Sequence, residues 1–422
     1  MFQKKILIVG LTFLLISVSN PALVLIAHAE NGIPVITTPP NQNSPLISGK
    51  YIIYLDDRNH PGTQSTYADL FVYDINQKKE VNTIKYNAPY KGFDLDKNFL
   101  VWDDLPPGTT GSDYRTYILD LAKNTRSEIP FKARYPKISG NYVLYQRSPN
   151  VDLYLYDLVT KKEIPLPYDK PVTVYAIDGN KVVWGEYWGY PDSSVKPLVL
   201  YTINDLNNLA LNKKEILVSS KTFGQRYYSL DISGNNIVYT KQPEGDTQSR
   251  TFAYNITTKS EKKISDVEAA GIKIHGDLAV WAVGGASSNL FVSDLSMNTL
   301  TQLTSHGKAY SPDIFERKIV WQDFRNGVNY DIYAYEYAKF IRGDVNNDGK
   351  VDFSDSIYFN GWFNNSAYPA PACLDTADIN DDGAVDISDV SLFPSAVYGT
   401  YAISAPYPQA GTDPTLDTLP CK

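Results

Sequence analysis

The sequence predicts a mainly β protein in two parts, a seven-bladed β-propeller closed by an N-terminal strand and a small α-rich C-terminal module. A segment that recurs seven times predicts the propeller, and two acidic, glycine-containing segments near the C-terminal end predict the module. The chain has 422 residues, of which 43% are hydrophobic and 20% are charged, as is typical of globular proteins. This length accommodates one large repeat domain and a small second domain.

Each copy of the repeat contains an alternating strand that ends in Tyr or Trp, a polar loop and a second alternating strand, as in ISGKYIIYLDD and DISGNNIVYTK. The strand-ending aromatic residues recur at intervals of 39–55 residues and are Tyr54, Trp102, Tyr145, Trp184, Tyr239, Trp281 and Trp321. Alternation with period two indicates strands that bury one face. Several strands per copy at this spacing are typical of propeller blades, which must stack on their neighbours.

The N-terminal end of the predicted mature chain supplies a strand that the last copy lacks. The segment PVITTPPNQNSPLISG matches, in register, TQLTSHGKAYSPDIFE, which leads into the seventh copy. We therefore predict that residues around Pro34 to Thr37 add the fourth strand to the last blade and remove an exposed sheet edge. The repeats resemble TolB-type and related WD-like propellers over roughly residues 34–338. This resemblance implies the fold alone, because propellers host many unrelated activities.

The first 29 residues have the features of a signal peptide. Lys4 and Lys5 precede the mostly apolar run Ile6–Val18, and Ala27-His28-Ala29 is a small-x-small cleavage pattern. We expect a mature chain that begins near Glu30 and is secreted or associated with the cell surface, with an uncleaved anchor helix as the alternative. No later segment is long and apolar enough to span a bilayer. The predicted boundaries are 1–29 for the signal peptide, 30–340 for the propeller and 341–422 for the C-terminal module.

The excess negative charge lies in the C-terminal module. Residues 343–422 contain 12 Asp, no Glu and two Lys, whereas residues 30–342 contain 35 residues of each sign. Such an acidic module attracts cations and repels nucleic acid, which we exclude as a partner. The two cysteines, Cys373 and Cys421, also lie here; in an exported chain they could pair, and they lack the number and spacing of a zinc site.

Two segments of this module, GDVNNDGKVDFSD and ADINDDGAVDISD, each contain a twelve-residue loop with oxygen donors at positions 1, 3, 5, 9 and 12. Position 6 is Gly, where the loop must turn sharply, and position 7 offers a backbone carbonyl. Hard oxygen ligands at this spacing select calcium, so we predict two Ca²⁺ ions. The predicted ligands are Asp344, Asn346, Asp348, Lys350, Asp352 and Asp355 in the first loop, and Asp378, Asn380, Asp382, Ala384, Asp386 and Asp389 in the second.

Both loops end in Asp, where the ordinary calcium loop ends in Glu, and no helix precedes them. In these features and in their separation of 34 residues the loops resemble type I dockerins. The resemblance implies binding to a cohesin on a scaffold or the cell surface. Positions 10 and 11, where family members often carry Ser/Thr pairs for cohesin recognition, are Phe353-Ser354 and Ile387-Ser388, and Pro394 is expected to interrupt the second helix. Alternatively the module packs on the propeller, because the connector from Ala338 to Arg342 is short.

Polar residues near the aromatic strand ends are expected on one face of the propeller. They could bind an anionic or sugar ligand or perform acid/base chemistry, or they could tie neighbouring blades together by ion pairs. The sequence lacks a G-x-S-x-G elbow, an H-E-x-x-H helix and a P-loop. The candidate residues of this face are Asp56, Arg58, His60, Asp104, Glu186, His306, Asp323 and Arg325.

The absence of a catalytic motif favours a non-catalytic exported protein whose propeller binds a protein or a polysaccharide and whose C-terminal module attaches it to a cohesin-bearing partner. The alternative is a carbohydrate-active enzyme, an O-glycosyl hydrolase or a polysaccharide lyase, that a dockerin brings to its substrate. The aromatic residues Tyr187, Trp188 and Tyr190 could stack on sugar rings or could cap a blade.

Overall fold

The structure is a computed structural model. It describes residues 25–27, 32–60, 68–86, 92–109, 113–147, 152–169, 172–186, 197–206, 208–218, 229–243, 246, 248–296, 298–337, 340–365, 368–371, 373–404, 407 and 419. Most of the predicted signal peptide, the three aromatic residues at 187, 188 and 190, and Cys421 lie outside the described residues. No helix in the described ranges is both long and apolar enough to cross a membrane.

The described strands form six sheets, of which one has seven strands, one has five and four have four. We group these strands in chain order into units of four antiparallel strands, numbered 1 to 7; units 2 and 3 share a strand, and unit 7 takes one strand from the N-terminal region. The N-terminal strands are β1 (Leu25–Ala27) and β2 (Ile33–Ile36). The strands of units 1 to 3 are β3 (Gln42–Ser48), β4 (Tyr51–Asp56), β5 (Asp69–Asp74), β6 (Lys79–Ile84), β7 (Phe93–Asp96), β8 (Phe99–Asp104), β9 (Arg115–Asp120), β10 (Thr125–Ser139), β11 (Tyr142–Arg147), β12 (Asp152–Asp157) and β13 (Glu163–Pro165). The long strand β10 ends unit 2 and begins unit 3.

The later units follow the same order. The strands of units 4 to 7 are β14 (Val172–Asp178), β15 (Lys181–Glu186), β16 (Leu198–Thr202), β17 (Lys213–Val218), β18 (Leu230–Ser233), β19 (Asn236–Lys241), β20 (Arg250–Asn255), β21 (Ser260–Ser265), β22 (Ala270–His275), β23 (Leu278–Val283), β24 (Asn289–Asp294), β25 (Thr299–Gln302), β26 (Ala309–Phe315), β27 (Lys318–Asp323) and β28 (Asp331–Glu336). A short 3₁₀ helix, Leu209–Leu211, precedes β17. β1 pairs in parallel with β25, whereas β2 pairs antiparallel with β28 and completes unit 7.

Seven hydrophobic clusters of described residues each lie between two units, and one of them joins unit 7 to unit 1. The strand-ending aromatic residue of each unit packs into the cluster shared with the preceding unit. Trp321 of unit 7 packs with residues of unit 6, and Tyr54 of unit 1 packs with Val320 and Ile332 of unit 7. The first strand of each unit also contacts that of the next, including β26 with β3. The alternating pattern therefore buries each unit against its neighbours.

A polar residue at the end of the first strand also joins successive units; it is followed by Gly in units 1, 3, 4 and 5 and by Lys97 in unit 2. Its side chain accepts a hydrogen bond from a backbone N–H in the next unit. The bonds are Lys97 N to Ser48 Oγ (2.7 Å), Gly140 N to Asp96 Oδ2 (2.6 Å), Gly179 N to Ser139 Oγ (2.8 Å), Gly234 N to Asp178 Oδ2 (2.5 Å) and Gly276 N to Ser233 Oγ (2.9 Å). In unit 6 the same position is His275, whose ring contacts Phe315 of unit 7 at 4.7 Å instead.

The C-terminal module contains α1 (Phe353–Asn365), a short 3₁₀ helix (Leu374–Thr376) and α2 (Ile387–Val397). Its core includes Val345, Phe359, Ile379 and Phe393. Each predicted loop runs directly into a helix, because its positions 9 and 12 form a capping box. In the second loop, Asp386 accepts from Ser388 N (2.7 Å) while Asp389 accepts from Asp386 N (3.0 Å).

The expectation that Pro394 interrupts the second helix is wrong, since α2 continues through it to Val397. A proline in a helix removes one backbone donor and crowds the preceding turn. Here the neighbouring side chains Phe393 and Ala396 are both buried in the core of the module. Their burial holds the last turn in helical form, and Tyr398 N donates to Pro394 O at 3.1 Å.

Candidate functional site

The first acidic loop folds around the two aspartates at its ends. The carboxylate of Asp344 accepts hydrogen bonds from Asp348 N and Gly349 N, both at 2.9 Å. The carboxylate of Asp355 accepts from Asn346 N and Asp352 N, both at 3.0 Å. Gly349 has φ of +85°, a conformation that favours glycine at the sharp turn.

The second loop repeats this arrangement. The carboxylate of Asp378 accepts from Asp382 N at 3.2 Å and from Gly383 N at 2.9 Å. The carboxylate of Asp389 accepts from Ile379 N at 2.8 Å and from Asp386 N at 3.0 Å. The duplicated spacing in the sequence thus produces a duplicated geometry.

Four carboxyl groups in these loops are buried, namely those of Asp344, Asp355, Asp378 and Asp389. Burial raises the pKa of each above its ordinary value, and neighbouring aspartates raise it further, whereas backbone N–H donors lower it. A bound cation would relieve this unfavourable desolvation and repulsion. Oxygen donors in such surroundings fit a hard cation such as calcium.

The described residues, which include both loops in full, contain no group of three or more His, Cys, Asp or Glu side chains placed to hold a metal ion. The carboxylates also accept hydrogen bonds from backbone N–H groups of their own loops. Asp348 Oδ1 accepts from Lys350 N at 3.0 Å, and Asp382 Oδ1 accepts from Ala384 N at 3.1 Å. Both loops therefore supply the oxygen donors that calcium prefers.

Arg342 is a charged residue of this module whose role the sequence did not reveal. Its side chain is fully buried, and Nη1 donates to the carbonyl oxygens of Asp375 (3.1 Å) and Asp378. Nη2 lies 2.7 Å from Asp381 Oδ1 in the second loop. The guanidinium thus fixes the second loop to the segment before it, whereas the sequence placed Arg342 in a connector.

On the propeller, the predicted Asp-x-Arg pairs form ion pairs within their own units. Arg58 Nη2 lies 2.5 Å from Asp56 Oδ2, and Arg325 Nη2 lies 2.7 Å from Asp323 Oδ2. Both aspartates are fully buried. Each guanidinium also stacks on an aromatic ring of the adjacent strand, at 4.2 Å in unit 1 and 4.1 Å in unit 7. These ion pairs lie within single units, and Arg58 Nη2 also donates to Thr38 Oγ1 at 2.9 Å, in the segment that joins β2 of unit 7 to β3 of unit 1.

The other candidate residues of the face have local partners too. His60 Nε2 lies 3.0 Å from Asp69 Oδ1, whereas His306 Nε2 lies 3.2 Å from Asp323 Oδ2. Trp184 donates through Nε1 to Glu186 Oε1 at 3.0 Å. Asp104 Oδ1 accepts from Leu105 N at 2.8 Å. The structure therefore brings His306, Asp323 and Arg325 together, but it places His60 with a different carboxylate.

A carboxylate beside the strand-ending aromatic residue is a recurring feature that the sequence did not reveal in full. In units 4 and 7 it lies two residues after a Trp. In units 1, 3 and 5 a Glu of the outermost strand accepts a hydrogen bond from the Tyr hydroxyl and also pairs with a cation, which follows the Tyr by four residues in unit 1 and by two in units 3 and 5. These triplets are Tyr54, Glu80 and Arg58; Tyr145, Glu163 and Arg147; and Tyr239, Glu261 and Lys241.

A cavity of about 660 Å³ lies among the first strands of the units, and all seven units contribute to its lining. None of the eight candidate face residues lines it. Lys137 and Lys273 are the charged side chains of the lining, and Tyr135 and Tyr175 are among its aromatic residues.

Residues 342–395 match the family model described as dockerin type I domain. This segment is a type I dockerin. The match includes both acidic loops and begins at Arg342, which belongs to the dockerin by its contacts as well. Cys373 lies in the dockerin, whereas Cys421, the other cysteine of the chain, lies outside the described residues.

Solved structures similar to the rest of the chain are β-propellers. The β-propeller domain of the Trilobed protease from Pyrococcus furiosus matches with a TM-score of 0.52 and 11% identity, over 70% of this chain and 92% of that one. An acylaminoacyl peptidase from Pyrococcus horikoshii matches with a TM-score of 0.50 and 11% identity, over 70% of this chain and 51% of that one. TolB from Acinetobacter baumannii matches with a TM-score of 0.41 and 14% identity, over 61% and 67%.

At these identities the similarity shows the propeller fold alone. The chain spans about half the length of the peptidase it matches (51%). No curated protein matches the chain.

Proposed function

We propose that the chain is an exported calcium-binding protein that its dockerin attaches to a cohesin-bearing scaffold or cell-surface protein, while its propeller binds a protein or a polysaccharide. The dockerin at residues 342–395 carries this proposal. Dockerin domains bind cohesin-bearing scaffolds, and proteins that contain them are usually extracellular or associated with the cell surface.

The exposed apolar side chains of the dockerin support a protein interface. Phe353 and Ile387 are the first residues of α1 and α2, and they are 54% and 61% exposed. Ile357, one turn further along α1, is 51% exposed. Large apolar side chains at the same position of two repeats, outside the core, are typical of binding surfaces.

The test is calorimetric titration of the full chain with a type I cohesin in calcium. The Phe353→Ala/Ile387→Ala double variant should weaken binding at least tenfold, whereas Tyr398→Ala should leave it unchanged, although Tyr398 is 73% exposed. Equal binding by the double variant and the wild type would exclude this surface. Absence of binding to every cohesin tested would contradict the attachment itself.

For the calcium sites we propose one ion in each loop, held by the twelve residues that the sequence predicts. The buried, mutually repelling carboxylates support this assignment. Calcium titration should give two ions per chain, and Asp344→Ala should abolish uptake by the first loop only. A stoichiometry below two in the wild type would refute the assignment. We also propose that Cys373 pairs with Cys421, which peptide mapping without reduction can test.

For the propeller we propose a ring of seven blades closed by β2. The clusters between all successive units, the contact of β26 with β3 and the pairing of β2 with β28 support this ring. A panel of polysaccharides and proteins, assayed for binding and for cleavage, tests the function of the propeller. Cleavage would instead favour the hypothesis of a glycoside hydrolase or lyase. The ion pairs of Asp56 and Asp323 with arginine favour a binding function over a catalytic one.

A further inference from the structure

The cavity among the first strands has the size of a small-molecule site. Its volume of about 660 Å³ lies within the usual range for such sites. Every unit contributes to the lining, so one occupant could contact all of them.

Five first strands carry a charged residue at the same position, and the side chains of these residues point in different directions. The five residues are Asp94, Lys137, Asp231, Lys273 and Asp313. Asp94, Asp231 and Asp313 each accept a hydrogen bond from a backbone N–H of the next unit. The distances to Ile138 N, Ile274 N and Ile47 N are 2.9, 3.0 and 2.7 Å. The three carboxylates are thus bonded into the junctions between units, and they do not line the cavity.

The two lysines of this set, Lys137 and Lys273, line the cavity. Lys137 Nζ lies 3.6 Å from Asp94 Oδ1, and Lys273 Nζ lies 3.8 Å from Asp313 Oδ1. These distances exceed that of an ordinary hydrogen bond, and neither ammonium donates a hydrogen bond to an acceptor among the described residues. Both ammonium groups therefore keep donors for a ligand.

The charge of Lys273 is secure at neutral pH. Burial lowers its pKa, but attraction by Asp313, Asp231 and Asp94 outweighs burial and raises the pKa above its ordinary value. The cavity lining therefore contains one ammonium group from unit 3 and one from unit 6.

The rest of the lining offers hydroxyl groups and aromatic rings. Ser44, Ser229 and Ser311 line it together with Tyr135 and Tyr175. Ser44, Tyr135 and Ser311 have φ values of 51°, 52° and 49°, in the left-handed region that non-glycine residues seldom adopt. Each of the three lies at a β-bulge of its first strand, and bulges of this kind turn side chains to a new direction and often occur beside binding sites.

We propose that this cavity binds a carboxylate-bearing sugar such as a hexuronate, with its carboxylate between Lys137 and Lys273. The serine hydroxyl groups would bond the sugar hydroxyl groups, and the tyrosine rings would stack on its apolar face. This inference deepens the proposed function, since it names the class of saccharide, and it rests on the proposal that the propeller binds a polysaccharide.

The test is calorimetric titration of the full chain with glucuronate, and with glucose as the neutral counterpart. Glucuronate should bind, glucose should bind at least tenfold more weakly, and Lys273→Met should weaken glucuronate binding at least tenfold. Lys181→Met is the matched control, because Lys181 is a lysine of the same ring whose Nζ donates to Gly234 O away from the cavity. Lys181→Met should bind glucuronate as the wild type does.

Loss of Lys273 could destabilise the unit by leaving Asp313 without a cation. The Lys273→Met/Asp313→Leu double variant removes that charge as well, and Leu is the residue that unit 1 has at this position, Leu46. It should fold and still bind glucuronate weakly. Equal binding of glucuronate and glucose, no binding of either, or full binding by the double variant would overturn the proposal. Polysaccharide binding that survives in this variant would leave the proposed function standing.

Discussion

Arg342 provides a direct test of how the dockerin is held together. We consider Arg342→Met, which keeps most of the apolar stem and removes the guanidinium. In the wild type this group donates to the carbonyl oxygens of Asp375 and Asp378 and pairs with Asp381 at 2.7 Å. The side chain is 0% exposed, so water cannot replace these bonds without disturbing the core.

The expected loss is comparable to the whole stability of the domain. Removing one partner of a buried charge network costs about 3–5 kcal/mol. A domain of the size of residues 342–395 has a free energy of unfolding of about 3–8 kcal/mol at the usual stability per residue. We therefore expect Arg342→Met to unfold the dockerin, or nearly so, in the absence of calcium. Calcium at a hundredfold excess over its Kd should restore about 2.7 kcal/mol per site.

The assay is differential scanning calorimetry of the full chain, in which the dockerin and the propeller should give separate transitions. Arg342→Met should abolish or strongly lower the Tm of the dockerin and leave that of the propeller unchanged. Lys350→Met is the control, since Lys350 is an exposed cation of the first loop and should shift the Tm little. A loss below about 1 kcal/mol for Arg342→Met would refute the reasoning, because it would mean that the buried guanidinium contributes no more than a surface ion pair.

Three further predictions concern calcium, the closing strand and pH. Chelation of calcium should lower the Tm of the dockerin transition alone, and unchanged scans would contradict the assignment of the loops. Ile36→Ala should lower the free energy of unfolding of the propeller by about 2–5 kcal/mol in denaturant titrations, because Ile36 is buried in the junction between units 7 and 1. Ile33→Ala is the control and should have almost no effect, because Ile33 is 71% exposed. Burial raises the pKa of Asp103 from 3.8 to about 6, which its bonds from Tyr135 N, Gly92 N and Tyr86 only partly offset. A raised folded-state pKa gives stability that is fully present below pH 3.8 and is lost as the pH rises through about 6, at most about 3 kcal/mol. Asp103→Asn should remove this part of the pH dependence, and an identical profile in the variant would show that another group causes it.

Much of the fold was predictable because it depends on local pattern. Period-two alternation and the repeated aromatic residue identified the strands of each unit. The N-terminal segment matches the segment that leads into the seventh copy, and this match correctly predicted that β2 pairs with β28. The capping box of α2 is local as well, since it joins Asp386 and Asp389, three residues apart. Pro394 was misjudged because helix propensity is local, whereas burial of Phe393 is not.

The sequence by itself determined the periodic strands, the acidic composition of the C-terminal module and the donor spacing of its two loops, because each of these is written in residues close together along the chain. Tertiary structure alone decided which charges meet. It placed Arg342 inside the dockerin, paired Arg58 and Glu80 around Tyr54, and turned Lys137 and Lys273 into a shared cavity while the neighbouring aspartates bonded to backbone. The physical reason is that a charged side chain is stabilised by partners that the fold brings near, and those partners lie far from it in sequence.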